Sequence, residues 1–186
     1  MMEDVFRLRD LNNAYNSYEE LCVLANYIIN SGAEQIVLDC AAVDFVASNL
    51  FAVLGCLFAE KLNGKKLRIN NVKEPLQKII QKSGFYRHFK GLSGLPDKYN
   101  TITPYRVFNV MDIEQYEKYL TIELFARDDL PVMSRGVKDS IKDYLLEVFN
   151  NVYDHTECRH IYTCGQYFPK MGMLFGMGYE IGKYDS

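Results

Sequence analysis

The chain has 186 residues, 48% hydrophobic and 24% charged, which is enough for one sizeable domain or two small ones with a real core. Its formal charge of −3 comes from interspersed acidic and basic residues, and the basic clusters (Lys65, Lys66, Arg68; Lys78, Lys82, Arg87) are short, so nucleic acid is not an expected partner. No apolar run approaches the roughly 20 residues that span a bilayer, and the opening MMEDVFRLRD lacks the basic flank and apolar segment of a secretion signal, so a cytoplasmic protein without membrane association is expected.

Residues 16–31, NSYEELCVLANYIINS, place Leu21, Leu24, Ala25, Ile28 and Ile29 at i, i+3, i+4 spacing with Gly32 beyond, which predicts a helix. IVLDC at 36–40 is β-branched and apolar on both faces, the pattern of a central strand buried between helix layers. A loop then leads into a helix over 48–62, apolar nearly all round through Leu50, Phe51, Val53, Leu54, Leu57 and Phe58, which must be largely covered. Asn63-Gly64 closes it, and a strand follows at 66–70, so strand, helix and strand form a parallel crossover. A further helix is predicted over 74–83, with Pro75 in its first turn and Gly84 ending it. The fold class is therefore α/β.

The run IVLDCAAVDFVASNLFAVLGCLFAEKLNGKKLRINNVKEPLQKIIQKSGF resembles the core of a STAS domain, the fold of anti-sigma-factor antagonists, over residues 1–90. The resemblance implies a STAS-like sheet with covering helices and a partner-contact loop before the second helix. In that family a serine of the loop is phosphorylated by a partner kinase, and Ser48 with Asn49 matches its position. The usual Asp-Ser-Ser/Thr-Gly-Leu is not kept, since Ala47 and Leu50 flank the pair. Residue chemistry alone reads Ser48 as a helix N-cap, worth about 1 kcal/mol; a phosphate there would face the positive end of the helix.

Residues 91–104 are rich in Gly, Pro, Ser, Thr and Asn and read as a linker, leaving 105–186 as a second unit. A strand is expected at 105–110. Asp112 with Gln115 resembles a capping box opening a helix to about 126, with Ile113, Tyr116, Leu120 and Leu124 inward. The next helix, 134–154, carries an expected buried stripe of Ile141, Tyr144, Leu145, Val148 and Val152, and a polar stripe of Asp139, Asp143, Glu147, Asn151 and His155. Oxygen-bearing side chains suit magnesium, and a Glu one turn from an Asn could orient water toward a phosphate. Spacing alone favours a solvated helix face. The five cysteines form no CxxC pair and are expected as reduced thiols, and Asp154, His155, Glu157, Cys158 and His160 fit no zinc spacing, so no metal site is expected.

E-V-F-N-N-V-Y-D-H resembles the N-box of GHKL (Bergerat-fold) ATPases, anti-sigma serine kinases in particular, over about 128–175. By that likeness Glu147 matches the base, Asn151 the magnesium ligand and His155 a basic position on the next turn. HIYTCGQYF and MLFGMGYEI match the β-hairpin that follows. The family also binds adenine through a DxGxG box and closes a glycine-rich lid; Gly176 and Gly178 have no Asp ahead of them, and Asp185 has no glycines behind. A truncated GHKL-like segment without its nucleotide walls is therefore expected, with no cofactor unless another chain completes a Mg-ATP site. Tyr162, Tyr167, Phe168, Met171, Met173, Leu174, Phe175 and Met177 suggest a contact surface, either for the first unit or for a homodimer, or else ordinary core. The expected function is a non-enzymatic regulator binding a protein, such as an anti-sigma factor or kinase-like regulator. The alternative is a piece of a STAS–GHKL fusion that binds Mg-ATP and phosphorylates serine.

Overall fold

β-Branched and apolar segments form strands where they can be buried in a sheet, and three of them pair at the start of this chain. In the computed structural model, which describes residues 2–89, 91–99, 101–127, 130–155, 158–168 and 173–179 (for 168 and 173–179 the backbone alone), β1 (Glu3–Arg7), β2 (Gln35–Asp39) and β3 (Lys66–Asn70) form a parallel sheet in the order β1-β2-β3. The helices α1 (Tyr15–Asn30), α2 (Leu50–Lys61) and α3 (Glu74–Ser83) alternate with these strands as the crossover pattern requires. Gly84 ends α3 at φ 82°, the left-handed position the sequence assigns to it.

β2 is central, yet its two faces differ. Ile36 and Leu38 join the main apolar cluster with Phe6, Leu67 and Ile69. On the opposite face the register runs Val5, Val37, Arg68, and Val5 is 53% exposed while Val37 is buried. The expectation of helix layers on both faces is thus corrected: the buried residues of α1, α2 and α3 join the cluster on the Ile36 and Leu38 side, and the exposed Val5 marks the other face as uncovered beside it. In α1, Leu21, Leu24 and Ile28 are buried as expected, but Ile29 lies outside the buried stripe and is exposed.

The second sheet is antiparallel, in the order β4-β5-β6, built from β4 (Ile102–Asn109), β5 (His160–Phe168) and β6 (Met173–Tyr179). The hairpin of β5 and β6 matches the expected one, and β4 starts three residues before the predicted strand. Among the described residues the chain is a mixed α/β protein with five helices and two small sheets.

Helix α2 links the two sheets. Its apolar circumference needs cover on every side, and Tyr105 of β4 with Tyr162 and Cys164 of β5 joins the same cluster as Phe51, Leu54, Cys56 and Phe58. A β-bulge makes this fit: between Thr103 and Arg106 the register shifts by one residue against Gly165 and Thr163. The extra residue re-aims Tyr105 onto α2, while Thr103 and Arg106 stay on the other face. Gly55 receives the Tyr105 ring so closely that a Cβ there would overlap its hydroxyl and ring carbons.

The far face of the second sheet meets α4 (Ile113–Tyr119), its π-helical continuation Leu120–Phe125, and α5 (Arg135–His155). Tyr116, Tyr119, Leu120, Leu124, Phe149 and Ile161 form this smaller core. Asp112 sits at the N-cap of α4 but makes no side-chain cap bond, so the capping-box reading is corrected.

Candidate functional site

Ser48 and Asn49 lie in the turn that opens α2. The backbone of Asn49 is already helical, at φ −61° and ψ −29°, and neither side chain caps the helix. The N-cap reading of Ser48 is therefore corrected. Ser48 is 0% exposed and Asn49 3%. The Ser48 amide donates to Gln166 Oε1 of β5 at 3.2 Å, and Asn49 Nδ2 donates to Asn13 Oδ1 at 2.7 Å. Ser48 Oγ and Asn49 Oδ1 are buried without a hydrogen-bond partner. An orphaned buried polar atom costs about 1–3 kcal/mol, so the turn is held by packing at the expense of polar satisfaction.

The β5 side chain that meets the Ser48 amide had no signal in the sequence. Gln166 alternates onto the α2 side of its strand, paired with Ile102 across β4. Tyr162 on the same face donates its hydroxyl to Glu60 Oε1 at 2.9 Å near the other end of α2, and burial followed by this bond raises its pKa well above the ordinary tyrosine value. Two side chains of one strand therefore grip α2 at both ends.

Glu147, Asn151 and His155 occupy successive turns of α5, and all three are exposed. Phe149 is the buried residue of this helix; Leu145, Val148 and Val152 are half-buried. Ile141 and Tyr144, expected inward, are 36% and 60% exposed, because α5 rests on α4 through Phe149 stacked on Tyr116 at 4.7 Å and through a 2.6 Å ion pair between Lys142 and Glu117. That contact sets the inward direction about one residue step round from the predicted stripe. Among the described residues no three His, Cys, Asp or Glu side chains come together as a metal site, and Glu157 lies outside those residues. Glu147 and Asn151 supply two oxygen-bearing groups on one side of the helix, and water and phosphate oxygens would have to complete an octahedral magnesium shell there.

Of the aromatic C-terminal residues, Tyr162 packs on α2 and Tyr167 is buried; Met171 and Asp185 lie outside the described residues. Cys40, Cys56 and Cys164 are buried and form no disulfide, and burial pushes the Cys40 thiol up to about 12. No helix among the described residues is long and apolar enough to cross a membrane. No family model matches the chain.

Proposed function

We propose that this chain is a non-enzymatic recognition protein of the anti-sigma-factor-antagonist kind, with a STAS-like first unit and a GHKL-like second segment serving as scaffold. The observation that supports it is the placement of Glu147 and Asn151 in open water on α5. A general base and a magnesium ligand gain their leverage on a phosphate in a pocket from which water is excluded. The second segment instead spends its apolar surface on α2, through Tyr105, Tyr162 and Cys164. Ser48 and Asn49 are the partner-facing turn in this reading, and a protein partner such as an anti-sigma factor or kinase-like regulator reaches them once Gln166 leaves the Ser48 amide.

The competing reading is a serine kinase acting with Mg-ATP, favoured by Glu147 and Asn151 standing one turn apart on one side of α5. Thermal denaturation with millimolar Mg-ATP decides between them. The recognition reading expects no change in Tm; a rise that vanishes in Asn151→Ala establishes the kinase reading in its place.

A further inference from the structure

β3 is an edge strand, and its free side opens onto a cleft of about 540 Å³. Lys66 N–H donates to Glu34 O, and Asn70 O accepts from Cys40 N–H, both toward β2. The alternation of a parallel ladder then turns the amides and carbonyls of Leu67 and Ile69 outward, where no described residue pairs with them. The cleft is lined by Leu67, Ile69, Val72, Phe89 and Leu92 on its apolar side. Such an edge, with its amides and carbonyls unpaired, is a template for another strand.

The pleat also specifies what that strand carries. Leu67 and Ile69 point to the helix side, while Lys66 and Arg68 point to the open face. A strand laid beside β3 therefore sets alternate side chains against apolar neighbours and against cations. No acidic residue occurs from 65 to 73 or from 84 to 95; Arg68 meets Glu3 of β1 at 3.1 Å, yet half of its side chain stays exposed, so the guanidinium has donors left for a second carboxylate beside Lys66. A second copy pairing through β3 would set Lys66 and Arg68 against themselves, which like-charge repulsion disfavours.

We propose that the β3 edge and its cleft form a docking groove for an extended acidic peptide of a partner protein, added as a fourth strand with apolar and acidic residues alternating. This rests on reading the chain as a recognition protein, and it names a surface separate from the Ser48 turn. The test is amide exchange by NMR on the full chain, titrated with a synthetic peptide of alternating Val and Glu and with its Val–Lys counterpart. The Val–Glu peptide slows exchange at Leu67 and Ile69, the Val–Lys peptide does not, and N-methylation of alternate peptide amides abolishes the effect. Lys66→Glu with Arg68→Glu, both on the exposed face, weakens binding by about tenfold or more. Equal binding of the two peptides, unchanged exchange at Leu67 and Ile69, or their protection by self-association without peptide overturns the proposal. Protection appearing only at another surface removes the edge from the site but leaves the recognition reading standing; a Mg-ATP response lost in Asn151→Ala removes that reading whatever happens at β3.

Discussion

Helices α2 and α5 are the two that carry the candidate residues, and they are covered in opposite ways. α2 has apolar residues on nearly every side and is enclosed between the two sheets, so that even Gly55 is in contact. α5 is twenty-one residues long, buries Phe149, and presents Val137, Ile141 and Tyr144 to solvent. Chemistry at the start of α2 is therefore sealed by packing, whereas chemistry along α5 is freely reached. An apolar circumference forces a helix to find two partners; an amphipathic one is satisfied by a single neighbour.

The contrast is broken most strongly by truncating the enclosed helix. Phe51, 1% exposed and stacked on Phe85 at 4.7 Å, gives a loss of about 3–5 kcal/mol on Phe51→Ala in urea unfolding. Gly55→Ala comes next: helix propensity favours it by about 1 kcal/mol, but overlap with Tyr105 leaves a net loss of about 1–2 kcal/mol, partly relieved when Tyr105→Leu is added.

Ser48→Ala sharpens the comparison by its sign. Removing an unpartnered buried hydroxyl leaves stability unchanged or raises it by up to about 1 kcal/mol, whereas a capping serine would lose about that much. On α5, Tyr144→Ala and Ile141→Ser change stability by no more than about 0.5 kcal/mol, and a larger loss in urea unfolding would show that a partner face had been mistaken for solvent.

The smallest effect is one of pH. The His88 ring lies 4.6 Å from that of Phe85 and beside Tyr105, and desolvation by these neighbours lowers its pKa, although part of the residue is open to water. A base that binds its proton less readily when folded stabilises the fold above its unfolded pKa, near 6.5, and that contribution is lost as pH falls through the lowered value. Stability measured from pH 7 to pH 5 therefore declines slightly more steeply in the native chain than in His88→Gln.

Much of the first unit was legible because its signals are local. The span of β3, the helix over Glu74–Ser83 and the left-handed Gly84 follow from composition, Pro75 and a single glycine. The hairpin of β5 and β6 was expected through a resemblance and not from a local pattern of its own. The inward face of α5 was not, because Ile141, Tyr144, Leu145 and Val148 compete for it on equal terms and only the Tyr116 stack decides. Nor was the contact of the Ser48 amide with Gln166, more than a hundred residues away.

By itself, then, the sequence determined the α/β class, the order of the elements from α1 onward, though not β1, and the need of α2 for cover on all sides, since periodicity, turn residues and side-chain volume act within a few residues. Only the tertiary structure decided which sheet supplies that cover, that a bulge turns Tyr105 toward Gly55, that Gln166 accepts from the Ser48 amide and that β3 keeps a free edge. Those outcomes are set by contacts between distant segments competing for the same surface, and no local pattern ranks such competitors.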